Sequence, residues 1–186
     1  MSIRTAAAKT RTRDAASIVG AALLLAACGT PRHLKAARPE ADEGSVQAHL
    51  ATFDDLDFRV FTGQKWDELH RSHSKDIVVH WPDGHSTKGI ERHMEDLKGM
   101  FVYAPDTRIK VHPIRFGSGE WTSVIGVMEG TFSMPMPTAD GKSVPATGKA
   151  FKLPMCTIGH WKGGVMDEEY LFWDNQTFLK QIGLAP

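Results

Sequence analysis

Four carboxylates near the C-terminus are the side chains most able to do chemistry. In Val165-Met166-Asp167-Glu168-Glu169-Tyr170-Leu171-Phe172-Trp173-Asp174, three acids precede four large apolar residues and a fourth acid closes the run. The run reads as a strand that passes directly into a short helix over 175–182, with Gly183 as the stop. An ordinary strand has no reason to place an acid straight after four large apolar residues, whereas a pocket that moves protons does. Desolvation in such a pocket raises a carboxyl pKa toward neutrality, so that one group can act as both base and acid. Asp174 is the leading candidate, although Asp is equally a favoured N-cap for the helix that follows, and the two roles are compatible. Period-two alternation puts Glu168, Tyr170, Phe172 and Asp174 on one strand face and Asp167, Glu169, Leu171 and Trp173 on the other. If Asp174 points inward, Glu168 goes with it, and Glu169 becomes a solvent or helix-packing residue.

Three further residues are candidates. His80 lies in the apolar strand Ile77-Val78-Val79-His80-Trp81, where a polar side chain needs a partner and an imidazole is the natural proton shuttle near neutral pH. Its alternative is a satisfied core or rim histidine. His112 and Glu129 sit in strand-like segments of mixed character and would line a site if their faces turn inward. Trp81, Trp121, Tyr170 and Trp173 would supply apolar walls, with core packing as the alternative for each. No metal site is expected. His80, Asp83 and His85, and the pair His70 and His73, lack the spacing of a helical histidine pair with a glutamate. No nucleophile elbow, phosphate-binding loop or dinucleotide fingerprint occurs.

The elements that must position these groups can be read from periodicity. A helix is predicted over 45–61, with apolar residues at Val46, Leu50, Phe53, Leu56 or Asp57, Val60 and Phe61. A short helix follows at Trp66–His70, then a strand over Asp76–Trp81 stopped by Pro82-Asp83-Gly84. A helix from Gly89 to Tyr103 carries Ile90, Met94, Leu97 and Phe101 on one face. Strands are predicted over 108–116, 121–134, 149–161 and 165–173, with a turn-rich connection at 135–142. Helices segregated on one side of a curved antiparallel sheet make an α+β domain.

The N-terminus predicts location. Arg4, Lys9, Arg11 and Arg13 precede an apolar stretch over Ala15–Ala27, too short for a membrane span but suited to a secretory signal. Leu25-Ala26-Ala27-Cys28-Gly29 resembles the lipobox of bacterial lipoproteins, in which lipid on the cysteine anchors a soluble domain to a membrane. The expected organisation is a signal peptide over 1–27, a lipidated Cys28 with a flexible tether over 28–43, and one domain over 44–186, held at the bacterial cell envelope. The whole chain has a formal net charge of +0. Removal of the basic leader leaves a mildly acidic protein, which argues against a nucleic-acid partner. Cys156 is then the remaining thiol and reads as a buried, inert one.

The order of elements and several short motifs resemble a known family. Val78-Val79-His80-Trp81-Pro82-Asp83-Gly84, Lys88-Gly89-Ile90, Tyr103-Ala104-Pro105-Asp106, Glu129-Gly130-Thr131-Phe132, Thr147-Gly148-Lys149 and Glu169 through Gly183 are similar to the SnoaL-like polyketide cyclase, or ester cyclase, group of the nuclear-transport-factor-2-like superfamily. The resemblance implies a cone-shaped curved sheet with helices on its concave side. It further implies a cofactor-independent aldol-type cyclase, isomerase or lyase acting on a small apolar carbonyl compound. Asp174 matches the acid that follows an aromatic residue at the end of the last strand in the family pattern, and an acid near Glu169 is also matched. The inward acid is thus left open between Glu168 and Glu169. A homodimer through the exposed sheet face is compatible with this picture. The fold also hosts binding proteins, so the other expectation is an envelope lipoprotein that holds a hydrophobic small molecule without catalysis. Two or more inward carboxylates or histidines in contact would favour the enzyme, and a wholly apolar cone would favour binding.

Overall fold

The computed structural model describes residues 40–186 apart from Ala139. The expected leader, Cys28 and most of the tether lie outside the described residues. Helix α1 (Glu40–Asp55) continues into a π-helical turn over Leu56–Phe61, so the predicted helix is present but changes pitch at its end. The wider turn buries both Leu56 and Asp57 beside Val60 and Phe61. Thr62 N–H closes it on Asp57 C=O at 3.2 Å. A 3-10 turn (Trp66–Arg71) leads into strand β1 (His73–His80), and the Pro82-Asp83-Gly84 turn returns the chain as β2 (Ser86–Lys88). Helix α2 (Ile90–Tyr103) follows. Then come β3 (Arg108–Ile109), β4 (Ile114–Ser118), β5 (Trp121–Thr131), β6 (Met136–Pro137), β7 (Ser143–Val144), β8 (Ala150–Lys162), β9 (Val165–Phe172) and α3 (Asn175–Gln181).

The domain is α+β, with helices packed on a curved seven-stranded sheet in the order β2-β1-β9-β8-β5-β3, and β4 also along β5. The sheet is not wholly antiparallel as expected, because β1 runs parallel to β9, pairing Val79 with Glu169. Those strands are joined through most of the domain rather than by a hairpin, so no tight turn dictates their direction. The strand expected over 108–116 is split. Pro113, which has no N–H to give a ladder, separates β3 from β4, and the two lie along successive parts of β5. The connection after Thr131 contains a small ladder, β6 with β7.

Two apolar clusters hold the layers together. Val46, Leu50, Phe53, Leu56 and Val60 from the first helical segment pack on Ile77, Val79, Val124, Trp161, Met166 and Leu171 of the sheet. Phe61, Phe101, Ile109, Met128, Phe151, Leu153 and Phe178 form the second, toward α3. Each such side chain fully buried contributes about 1.5–3 kcal/mol. Gly130 lets strand β5 pass the second cluster, since a Cβ there would sit 2.6 Å from the Phe151 ring. Helix α3 ends as predicted at Gly183 (φ 81°), whose N–H donates to Lys180 C=O while Leu184 N–H donates to Leu179 C=O.

Candidate active site

A cavity open to solvent lies between the two apolar clusters. Leu56, Phe61, Leu97, Ile109, Met128 and Leu171 give it an apolar wall. Into this wall project five ionisable side chains, Asp57, His73, His93, Asp96 and Glu169. They come from four parts of the fold. The π-helical turn presents Asp57, the first residue of β1 is His73, α2 carries His93 and Asp96, and β9 carries Glu169.

Glu169 is the inward acid. Its side chain is 5% exposed, and Oε2 lies 3.3 Å from His93 Nε2 and 3.7 Å from His73 Nε2. The two imidazoles are themselves buried, with ring centroids 5.0 Å apart. Burial pushes the Glu169 carboxyl up, but the neighbouring His73 and His93 bring it to a net position below the usual glutamate range. Burial drives His93 down to about 4, so its ring is uncharged at neutral pH. Asp57 moves the opposite way. Its carboxyl is pushed up by burial, against the pull of His112.

His112 is clamped between two carboxylates. Its Nδ1 lies 2.7 Å from Asp54 Oδ1 and its Nε2 2.8 Å from Asp57 Oδ2. Carboxylates only accept, so both ring nitrogens act as donors when both acids are ionised, which is the imidazolium form. Burial lowers the His112 pKa, and the Asp57 and Asp54 contacts outweigh it to give a net rise. Asp54 in turn accepts from Arg115 at the surface. His112 therefore does not line the cavity; it links the buried Asp57 to a half-exposed carboxylate.

Asp174, the leading sequence candidate, lies outside the cavity. Its Oδ1 accepts from Gln176 N–H (2.9 Å) and Thr177 N–H (3.1 Å), and its Oδ2 accepts from the Thr177 hydroxyl (2.6 Å). This is a helix cap with its acceptors committed, and those bonds hold the carboxyl below the usual range. The placement corrects the choice of Asp174 as the inward acid and decides between the two faces: Glu169, Leu171 and Trp173 line the cavity while Glu168 and Asp174 do not. A bulge at Asp167, where His160 pairs with Glu168 but Trp161 pairs with Met166, lets Met166 and Glu169 share the inner face.

His80, Glu168, Tyr170 and Trp121 are brought together, but on the outer face of the sheet. Glu168 Oε1 faces His80 Nε2 at 2.8 Å and accepts from the Tyr170 hydroxyl at 2.8 Å, and His80 stacks on Tyr170 at 4.2 Å. Those contacts hold Glu168 below the ordinary carboxylate range. Trp121 is exposed and lies against His160. Glu129 is also outward, held by Lys152 Nζ (2.8 Å) and Arg108 Nη2 (3.1 Å). Trp81 and Trp173 do line the cavity, edge to face with centroids 6.4 Å apart. Cys156 is half-buried rather than buried, with its sulfur 3.7 Å from Ser123 Oγ.

Four cavity residues escaped the sequence reading as site residues: Asp57, His73, His93 and Asp96. A signal existed for two of them. Asp57 falls four residues after Phe53 on the apolar stripe of the first helix, and His93 falls three after Ile90 and four before Leu97 on that of α2. A polar residue on an apolar stripe marks either a satisfied core group or a site.

A family model of SnoaL-like polyketide cyclases matches residues 54–182. The chain belongs to that family. Solved structures with the same fold include a candidate SnoaL-like polyketide cyclase from Jannaschia sp. CCS1, with a TM-score of 0.65 and 18% identity over 76% of this chain and 95% of that one. IdmH, a candidate polyketide cyclase from Streptomyces antibioticus, matches with a TM-score of 0.62 and 22% identity over 73% of this chain and 98% of its own. A hypothetical protein with a ketosteroid isomerase-like fold from Catenulispora acidiphila, solved with trimethylamine, matches with a TM-score of 0.57 and 15% identity over 74% and 93% of the two chains. At these identities the structural likeness concerns the fold. Comparison with curated protein sequences finds no match.

Proposed function

We propose that this member of the SnoaL-like family is a cofactor-independent acid/base enzyme that closes or isomerises a small apolar carbonyl compound in its cavity. The observation that carries the reading is a pair of buried carboxyls in one apolar cavity whose pKa values are pushed in opposite directions. Such a pair supplies a base and an acid at the same pH. Glu169, ionised, takes a proton from the carbon alpha to a carbonyl, and the electron pair passes into an enolate. That carbon attacks a second carbonyl of the same molecule, forming a C–C bond and leaving an alkoxide on the attacked oxygen. Asp57, whose carboxyl is pushed up by burial, delivers the proton it shares with His112 to the alkoxide. His112 and Asp54 give Asp57 a route for a replacement proton from the surface. Trp81, Trp173 and the aliphatic wall exclude water and hold an apolar substrate.

The inward acids and histidines in contact favour this over a purely binding role, for which an apolar lining alone would be enough. The test uses the full chain and a panel of apolar 1,5- and 1,6-dicarbonyl compounds, following solvent deuterium at the alpha carbon and ring closure separately. Wild type is expected to accelerate both. Asp57→Asn should keep deuterium exchange and lose ring closure by about 10²–10⁴-fold, the usual contribution of a positioned proton donor. Exchange no faster than in buffer across the panel would refute the reading, and ring closure by Asp57→Asn at the wild-type rate would refute the role of Asp57. The location remains a proposal of the same kind: an envelope protein anchored through lipid on Cys28.

A further inference from the structure

The cluster of His73, His93 and Glu169 has a second chemical reading that does not depend on the cyclase proposal. We propose that these three side chains bind a divalent first-row transition-metal ion such as Zn²⁺, with an open coordination position facing the cavity.

The spacing fits. The three ligand atoms lie within 4.8 Å of one another. A tetrahedral ion with bonds of about 2.0–2.1 Å to imidazole nitrogen and carboxylate oxygen separates its ligand atoms by roughly 3.3–3.4 Å. Glu169 Oε2 lies 3.3 Å from His93 Nε2 and 3.7 Å from His73 Nε2.

Hydrogen bonding gives a second, independent argument. When the single proton of the Ser72 hydroxyl is donated to Leu69 C=O at 3.1 Å, His73 Nδ1, 2.9 Å from Ser72 Oγ, is the donor of that pair. A neutral His73 is then left with a lone pair on Nε2, aimed at the Glu169 carboxylate. Both atoms are buried and neither has a hydrogen-bond partner among the described residues. Two facing acceptors repel unless a positive charge lies between them. At 3.7 Å a proton makes no hydrogen bond, whereas an ion bridges the gap with two ordinary bonds. The Ser72–Leu69 contact also fixes the His73 ring from behind, as outer partners of metal-binding histidines do.

The donor set selects the ion. Two imidazoles and one carboxylate suit zinc, iron, cobalt or nickel and do not suit magnesium or calcium, which prefer all-oxygen surroundings. Sequence spacing conceals the site, because its ligands come from β1, α2 and β9 at positions 73, 93 and 169. A bound ion would take the Oε2 lone pair that proton abstraction requires, so the ion and proton transfer by Glu169 are alternative states of one cluster.

The test needs no substrate. Full-length chain without an affinity tag is stripped with a chelator, dialysed, and titrated with Co²⁺ while the visible spectrum is followed. The expected result is one ion per chain with the ligand-field bands of a four-coordinate site, displaced by Zn²⁺. His93→Gln and Glu169→Gln should each weaken binding by at least about tenfold, and His85→Gln, an exposed histidine outside the cluster, should leave it unchanged. Because a core variant can fail to fold, histidine ring-nitrogen NMR of wild type serves as a second readout. Zn²⁺ should shift the His73 and His93 resonances and leave those of His80. Absence of saturable binding, shifts confined to exposed histidines, or undiminished binding in both folded cluster variants would overturn the proposal.

Discussion

Three side chains show how local surroundings decide what a carboxyl can do. Asp174 stands at the end of an apolar run, yet it spends its acceptors on Gln176 and Thr177. Its truncation in Asp174→Ala is expected to lower the melting temperature while leaving alpha-proton exchange unchanged, measured by a thermal scan and exchange on the same sample. A fall in exchange with unchanged stability would return Asp174 to the site. Glu169, five residues earlier, is buried against two imidazoles. Asp57 is buried against His112, and that pair makes a pH prediction. The folded-state pKa of His112 is raised above its unfolded value of about 6.5 by the Asp54 and Asp57 contacts. A raised histidine contributes stability that is fully present below the unfolded pKa and is lost as pH rises through the folded one. Urea unfolding of wild type and His112→Gln should therefore differ most near pH 6 and converge at alkaline pH, with Asp54, Asp57 and Arg115 as the charges that face the ring. A difference that grows with pH would contradict the clamp.

At the scale of elements, the sequence showed the types of element more clearly than the faces they present. Helical periodicity located α1, α2 and α3, and Gly183 ended α3 where expected. The face of β9 could not be decided by alternation, because both of its faces carry an acid and a large aromatic residue. The choice rests on the bulge at Asp167 and on the parallel pairing of β1, neither of which leaves a local mark in the sequence. Pro113 did leave one, and it splits the strand expected over 108–116. His73 and His93 were invisible as a pair, since nothing local relates the start of a strand to the first turn of a helix twenty positions on. Strand β5 offers a packing test. A methyl group at Gly130 would meet the Phe151 ring at 2.6 and 2.8 Å and Thr107 Oγ1 at 3.1 Å. Gly130→Ala should destabilise the domain by about 1–3 kcal/mol, the usual cost of overpacking, read as a shift in the denaturant midpoint at constant slope. A neutral result would mean that the ring moves aside freely.

For the whole molecule, the fold class and the family were legible because a weak motif in each of several elements occurs in the right order, and a family model matches residues 54–182. The active cavity was less legible, because a cone gathers one residue from each of several distant segments. No helix among the described residues is long and apolar enough to cross a membrane, and attachment is proposed to rest on lipid at Cys28. Expressed in a bacterial host, Cys28→Ser should move the protein from the membrane fraction to the soluble fraction. An unchanged distribution would remove the lipid anchor from the account. The central claim is that Glu169, and not its neighbours, is the base inside the cone. The most direct measurement compares Glu168→Gln with Glu169→Gln, two isosteric changes at adjacent positions on opposite faces of one strand, by alpha-deuterium exchange on the dicarbonyl panel. Glu169→Gln should lose about 10²–10⁴-fold while Glu168→Gln keeps near wild-type exchange. Loss in Glu168→Gln with activity retained in Glu169→Gln would place the chemistry on the outer face of the sheet and contradict the claim.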